Sequence, residues 1–304
     1  MNPVIGITAP GATGRQPLVV NLAPTGMVPT RYRSHKVPLQ PREIVDEVLR
    51  AAEQGVTIAH LHARDLYDRP THSKEIYARI IGGIRERRPD LILCVSCSGR
   101  QTQSFDERAE VLELDGDLKP DLASLTLSSL NFTRQASVNA PDVIQALAQR
   151  MLDRGIKPEI EIFDLGMLNV LSYLQTHSLV RPPIYANLLL GNIASAQADF
   201  LEIGTMVSKL PPGTIWSLAG IGAAQLPVAA MAVAAAPGVR IGLEDNLWLD
   251  AERTELASNA DLVERVHDLR TILNREFMSP LELRRLLQLP APSMCSSDMQ
   301  VRAA

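Results

Sequence analysis

The stretch of sequence that decides the fold reads PEIEIFD at residues 158–164, MLNVLSYLQT at residues 167–176 and IYANLLLG at residues 184–191. The first and third segments are short and rich in aliphatic and β-branched residues, which is typical of buried strands. The middle segment has the length and composition of a helix. A strand, a helix and a second strand in succession predict a parallel βαβ unit.

The same alternation runs along almost the whole chain. Eight strands and eight helices in strict alternation predict an α/β fold, the (β/α)₈ TIM barrel, which takes about 250 residues. An open doubly wound sheet is the alternative, but the G-x-G-x-x-G turn that often follows its first strand is missing here. The predicted strands are residues 18–24, 57–63, 91–98, 122–128, 158–164, 184–191, 214–220 and 239–244, and the predicted helices are residues 41–54, 73–87, 105–114, 141–154, 167–176, 195–210, 224–235 and 261–273.

The chain has no linker or compositional break, so we expect a single TIM-barrel domain over residues 1–304. Its barrel core covers about 18–275, with a short N-terminal arm before it and a C-terminal helical tail at 276–304. The tail contains an amphipathic helix at residues 280–287. Such a helix packs either on a neighbouring subunit or on its own barrel, and the sequence leaves both open.

Composition excludes several classes of protein. The 304 residues include 30 basic and 34 acidic ones, a formal net charge of −4, which argues against nucleic acid or an anionic membrane as partner. The longest uncharged apolar run, residues 228–236, is far short of the roughly 20 residues that span a membrane. Cys94, Cys97 and Cys295 are too few for a disulfide framework, and we expect a cytoplasmic protein. Cys94 and Cys97 lie three apart on a strand and so face opposite sides, which indicates packing rather than redox chemistry.

Polar side chains stand where the interior of a barrel is expected. His60 and His62 are two residues apart on the second strand and therefore share one face. On the last strand Arg240 and Glu244 share the inward face, and Asp245 follows at the mouth. Two imidazoles and one carboxylate suit a zinc ion (Zn²⁺) with an open position for substrate. The alternatives are a hydrogen-bonded structural histidine pair and a buried Arg–Glu pair that only stabilises the barrel.

Smaller signals lie on three other strands. Ser96 and Ser98 share a face of the third strand, and Ser124, Thr126 and Ser128 share a face of the fourth. Glu159 and Glu161 face inward on the fifth. Hydroxyls inside barrels are commonly inert, whereas an inward carboxylate near a metal needs a partner or a function.

Five motifs together resemble the β-keto acid cleavage enzymes, whose founding activity is 3-keto-5-aminohexanoate cleavage. They are Thr25-Gly26, HLHARD at residues 60–65, EIEIFD at 159–164, GIG at 220–222 with QLP at 225–227, and RIGLEDN at 240–246. The resemblance covers residues 18–290. It implies a zinc-dependent (β/α)₈ barrel that converts a β-keto acid and acetyl-CoA into acetoacetate and a new acyl-CoA. It also implies a homo-oligomer, with a tetramer favoured.

The resemblance also implies roles for individual residues. Zinc would polarise the β-keto acid, a base would remove a proton from its methylene, and a retro-Claisen step would split the chain. The residues implied are His60, His62 and Glu244 as zinc ligands, Asp245 as the general base, Arg240 as the group that orients it, and Ser96, Thr126 and Glu161 as the lining of the substrate site.

One position departs from the founding member of the family. There, Thr-Gly is followed by Ala-Glu, and the glutamate faces the ammonium group of the substrate. Here the run is Thr25-Gly26-Met27-Val28, so Val28 occupies the substrate-facing place. The sequence therefore predicts a β-keto acid without the 5-amino group, with a neutral or apolar side chain. Arg31 and Arg33 nearby leave an acidic side chain open.

Two other functions remain as alternatives. A metal-dependent aldolase or acyl-CoA lyase also works through a metal-bound enolate, but it does not consume acetyl-CoA as co-substrate. A non-catalytic barrel that binds a keto acid or an acyl-CoA would have no need of a base such as Asp245. A hydrolase with an H-x-H strand is disfavoured, because no further histidine lies on a later strand.

Overall fold

The structure is a computed structural model, and it describes residues 16–292. Most of the predicted N-terminal arm, the end of the predicted tail and Cys295 lie outside the described residues. Within this part of the chain, no helix is both long enough and apolar enough to cross a membrane.

Eight parallel strands of the described chain close into a barrel. Each strand pairs with its neighbours in the sequence, and the last strand pairs with the first. This closure confirms the predicted (β/α)₈ barrel and excludes the open sheet. The barrel strands are β1 (Val19–Leu22), β2 (Ile58–Leu61), β3 (Ile92–Val95), β4 (Leu122–Thr126), β5 (Lys157–Ile162), β6 (Tyr185–Leu190), β7 (Ile215–Gly220) and β8 (Gly238–Ile241).

In the described chain a helix follows every barrel strand, and one further helix follows the last of these. Their ends carry the expected signals: the fourth begins with Pro141 and ends at Gly155, which has a left-handed φ of 63°. The helices are α1 (Pro41–Glu53), α2 (Lys74–Arg85), α3 (Phe105–Ala109), α4 (Pro141–Arg154), α5 (Leu165–Thr176), α6 (Phe200–Ser208), α7 (Gln225–Ala235), α8 (Asn259–Ile272) and α9 (Pro280–Leu287).

Two helices are shorter than predicted by five or more residues. The segment expected to be helical over residues 105–114 is α-helical only in α3 and continues as a 3₁₀ helix over Glu110–Glu113. The helix expected at 195–210 begins at Phe200, because the Asp199 side chain accepts a hydrogen bond from the Glu202 N–H at 2.9 Å. Such a cap satisfies an amide at the helix start and so sets where the helix begins.

The tail helix α9 closes the lower end of its own barrel. Apolar residues at the N-terminal ends of the strands, among them Val19 and Ile58, pack with Leu283 and Leu287 of α9. Beside them, the buried Arg284 donates from both Nη atoms to the two carboxylate oxygens of Asp121, each at 2.8 Å. Of the two places expected for this helix, the described residues occupy the one on their own barrel. The C-terminal ends of the strands stay open, and the polar interior residues gather there.

Candidate active site

Three predicted metal ligands meet at the C-terminal end of the barrel. His60 lies on β2, His62 follows it, and Glu244 comes from the turn after β8. The Nε2 atoms of His60 and His62 are 3.3 Å apart, and Nε2 of His62 is 3.0 Å from Oε1 of Glu244. Nε2 of His60 lies 3.8 Å from the other carboxylate oxygen of Glu244. The structure therefore brings two imidazole nitrogens and one carboxylate together.

A turn after β8 places Glu244 beside the two histidines, and strand alternation does not. The strand predicted over residues 239–244 ends at Ile241, and Gly242 has a φ of 147°, which side chains rarely adopt. Asp245 N–H then donates to the carbonyl oxygen of Gly242 at 3.2 Å. Opposite the turn, a Cβ on Gly26 would lie 2.6 Å from Cγ of Glu244, so only glycine fits beside this ligand. Gly26 therefore makes room for Glu244, a candidate metal ligand.

A buried carboxylate behind His60 sets the orientation of its ring. Oε2 of Glu159 on β5 lies 2.5 Å from Nδ1 of His60, and Oε1 accepts a hydrogen bond from Asn21 at 2.6 Å. Burial alone would raise the pKa of Glu159, but the adjacent His60 outweighs burial and lowers this pKa to about 2. An ionised Glu159 accepts a hydrogen bond from Nδ1–H of His60, and this tautomer leaves the Nε2 lone pair free to bind a metal. The sequence placed Glu159 inside the barrel without assigning it this role.

The donor set fits a divalent metal ion. Two histidine nitrogens and a carboxylate oxygen, all within 4.8 Å of one another, match the three protein ligands of many catalytic zinc sites. Oε2 of Glu244 is buried and has no hydrogen-bond partner among the described residues, which is costly unless a cation completes it. Burial lowers the pKa of His62 to about 4, against the opposing effect of Glu244, so this ring is neutral and able to bind metal near pH 7.

A second cluster, formed by His60, Cys94 and Glu159, is less suited to a metal. Both oxygens of Glu159 are engaged, because Cys94 Sγ also donates to Oε2 at 3.1 Å. Burial raises the pKa of Cys94 well above its ordinary value, so its thiol stays protonated. Cys97 packs in the apolar core outside the barrel strands, on the face opposite Cys94.

Arg240 connects the acidic side chains of the site. Its Nε lies 3.1 Å from Oδ2 of Asp245, its Nη2 lies 3.3 Å from Glu244, and its Nη1 lies 3.5 Å from Glu161. Thr126 donates its hydroxyl to the other oxygen of Glu161 at 2.6 Å. Burial raises the pKa of Asp245, although Arg240 opposes this effect, and Glu244 raises it further. A carboxylate with a raised pKa is a better base near neutral pH than an ordinary aspartate.

These residues form the floor of a cavity of about 510 Å³. Ser96, Thr126, Glu161 and Val28, the predicted substrate-site residues, all line it. Ser96 is buried and accepts a hydrogen bond from the Ser98 N–H at 3.2 Å. Val28 is 42% exposed and lies toward the mouth, where no carboxylate takes its place among the described lining residues.

The arginines that line the cavity are only partly those that the sequence predicts. Arg33 lines it, but Arg31 instead forms ion pairs with Glu43 and Asp68 outside the cavity. Arg100 also lines the cavity and was missed by sequence reasoning. It follows β3 in an irregular loop, where no periodicity indicates the direction of a side chain.

Comparisons with known proteins identify the family of this chain. A family model described as beta-keto acid cleavage enzyme matches residues 17–289. The chain is 34% identical over 273 residues to a 3-keto-5-aminohexanoate cleavage enzyme of Fusobacterium nucleatum, covering 90% of this chain and 98% of that protein. It is also 34% identical over 279 residues to a 3-oxoadipate:acetyl-CoA acetyltransferase of Cupriavidus necator, covering 91% of this chain and 96% of that protein.

Among solved structures, the fold is similar to that of ObcA without ligand. The TM-score is 0.74 at 21% sequence identity, over 86% of this chain and 67% of the other. This likeness supports the fold alone, whereas the family match and the two relatives extend over the whole barrel. The chain belongs to the beta-keto acid cleavage enzyme family.

Proposed function

We propose that this enzyme is a zinc-dependent acyltransferase that converts a β-keto acid and acetyl-CoA into acetoacetate and a new acyl-CoA. The C2 carbanion of the keto acid attacks the acetyl carbonyl, and the CoA thiolate leaves. The thiolate then adds to the original keto carbon, and the C2–C3 bond breaks. Acetoacetate takes up the proton that was removed first, so atoms and charge balance. The observation that carries this proposal is the meeting of a His₂Glu cluster with Asp245 and Arg240 on one cavity floor.

The metal would be held by His60, His62 and Glu244. Zinc bound there would act as a Lewis acid that lowers the pKa of the methylene between the keto and carboxylate groups of the substrate. Glu159 holds His60 in the tautomer that this role requires, and Gly26 leaves space for Glu244.

We assign the removal of the methylene proton of the substrate to Asp245. It lies beside Glu244 and therefore next to the carbon that loses its proton when substrate is bound at the cluster. Arg240 fixes the Asp245 carboxylate with two contacts, at 3.1 and 3.4 Å, and limits its rotation. Arg240 also compensates the negative charge of Glu161, which Thr126 holds from the other side. The base is therefore positioned before the substrate arrives.

The lining of the cavity supports a substrate without an ammonium group. The carboxylates among its described lining residues are Glu161, Glu244 and Asp245, and each contacts Arg240. Arg240 engages Glu161 and Asp245, and Glu244 would bind the metal, so none of the three is left to pair with a substrate ammonium group. Val28 offers only apolar surface at the mouth. A buried ammonium group without a partner would be strongly disfavoured.

A substrate panel tests the proposed reaction. Zinc-loaded protein is incubated with acetyl-CoA and either 3-oxohexanoate, 3-oxoadipate or 3-keto-5-aminohexanoate, and acetoacetate and the new acyl-CoA are measured separately. We expect both products in equal amounts, strict dependence on acetyl-CoA and the lowest kcat/KM with the amino substrate. Cleavage without acetyl-CoA would indicate an aldolase or lyase. Binding without any product would indicate a non-catalytic barrel.

A further inference from the structure

The cavity lining carries more positive than negative side chains. Five arginines line the cavity, against three carboxylates, and one arginine, Arg240, contacts all three carboxylates. The other four are Arg33, Arg100, Arg134 and Arg253, and none has a carboxylate within 4.0 Å among the described residues. A bound divalent metal would add two further positive charges. The cavity therefore attracts ligands that carry several negative charges.

Arg100 differs from the other three because it lies within the cavity and not on its rim. Arg33, Arg134 and Arg253 are exposed, whereas Arg100 is half-buried and its Cζ lies 3.6 Å from the ring centroid of Phe132. Phe132 is itself held edge-on against Phe163, at 6.0 Å between ring centroids. The two aromatic rings therefore fix the guanidinium plane of Arg100.

The guanidinium of Arg100 has no hydrogen-bond acceptor among residues 16–292. Burial lowers the pKa of Arg100, whereas Glu244, Glu161 and Asp245, which line the same cavity, raise it. An arginine keeps its charge in such surroundings, because its ordinary pKa is above 12. A held, partly desolvated cation with free donors is the arrangement that a ligand anion completes.

We propose that Arg100 binds a second carboxylate of the substrate, so that the enzyme takes dicarboxylic β-keto acids. This inference rests on the proposed function. It chooses between the neutral and the acidic substrate side chain, both of which Val28 leaves open. The planar guanidinium matches a carboxylate with two parallel hydrogen bonds. The distal carboxylate would thus accept hydrogen bonds from the Arg100 guanidinium, while the keto acid end lies at the floor of the cavity.

A pair of six-carbon acids isolates the contribution of the second carboxylate. 3-Oxoadipate and 3-oxohexanoate differ only in their terminal group, and kcat/KM for each is measured in wild type, Arg100→Met, Arg100→Lys and the surface control Arg42→Met. We expect wild type to prefer 3-oxoadipate and Arg100→Met to lose about 10- to 100-fold with 3-oxoadipate alone, the range for one charge-assisted bidentate contact. Arg100→Lys should recover part of this loss, and the KM for acetyl-CoA should stay unchanged.

Two results would overturn the assignment. Equal losses with both acids, together with a raised KM for acetyl-CoA, would show that Arg100 serves CoA. A wild-type preference for 3-oxohexanoate would show that no second carboxylate is recognised.

Calorimetric binding of each acid to the zinc-loaded protein, with acetyl-CoA left out, separates this inference from the proposed reaction. Tighter binding of 3-oxoadipate that Arg100→Met abolishes supports the proposed role of Arg100 even where no product forms. In that case only the proposed reaction is wrong. Equal binding of both acids by wild type contradicts the role of Arg100 even where the reaction proceeds.

Discussion

Replacing Glu159 with glutamine tests whether the buried layer below the metal site controls metal binding. Glu159 is fully buried, and its two oxygens accept from His60, Cys94 and Asn21. Glutamine keeps the shape but has one oxygen and one amide NH₂. If the NH₂ faces His60, the ring must carry its proton on Nε2 and cannot bind a metal through that atom. If the NH₂ faces Asn21, two NH₂ groups oppose each other.

Either arrangement removes the charge-assisted hydrogen bond to His60. The first also stabilises the tautomer that cannot bind metal through Nε2, and the second creates an unfavourable contact with Asn21. Outer partners of metal-binding histidines typically contribute about 10- to 100-fold in metal affinity. At 25 °C this range corresponds to roughly 1.4 to 2.7 kcal/mol. We therefore expect Glu159→Gln to bind zinc about 10- to 100-fold more weakly than wild type, measured by competition with a fluorescent chelator at pH 7.5.

The matched control is Glu264→Gln, which makes the same chemical change at an exposed position of α8. Its zinc affinity should equal that of wild type. A Glu159→Gln protein that folds and binds zinc within about threefold of wild type would refute the argument, because an outer partner that orients His60 should contribute more than this.

Three further substitutions probe other parts of the structure. Gly26→Ala should lower zinc affinity by about tenfold or more, since its Cβ would lie 2.6 Å from Cγ of Glu244, whereas Gly155→Ala, with a similar positive φ and open space around it, should leave the affinity unchanged. Asp245→Asn should reduce kcat by about 10²- to 10⁴-fold with zinc content intact, and a fall of less than about tenfold would exclude it as the base. Arg284→Ala should lower the free energy of unfolding in urea by about 3 kcal/mol, because it leaves a buried carboxylate partly unpaired, and a loss below about 1 kcal/mol would show that α9 does not depend on this ion pair.

The fold and the inward polar residues could be predicted because both follow from short-range periodicity. Strands alternate with helices along the chain, and within β2 and β5 every second residue faces the barrel interior. His60 on β2 and His62 just after it were predicted to share one face for that reason. The turn that places Glu244 in the site could not be predicted. Gly242 ends the strand alternation, and the turn then brings the next residues inward.

Contacts between distant parts of the chain could not be predicted in the same way. Glu159 and His60 are 99 residues apart, and only the closed barrel puts them in contact. Arg100 and Phe132 meet between two loops, where side-chain directions follow no repeat. The place of α9 depended on which apolar surface the end of the barrel left uncovered, and an amphipathic pattern does not identify that surface.

The central claim is that a zinc ion held by His60, His62 and Glu244 is required for acetoacetate formation. The most direct test measures bound metal and acetoacetate production together, in wild type and in Glu244→Gln, before and after removal of metal by a chelator. We predict about one equivalent of zinc per chain in wild type, loss of activity on chelation and recovery on adding zinc. Glu244→Gln should lose both zinc and activity. Full acetoacetate formation by metal-free protein would contradict the account.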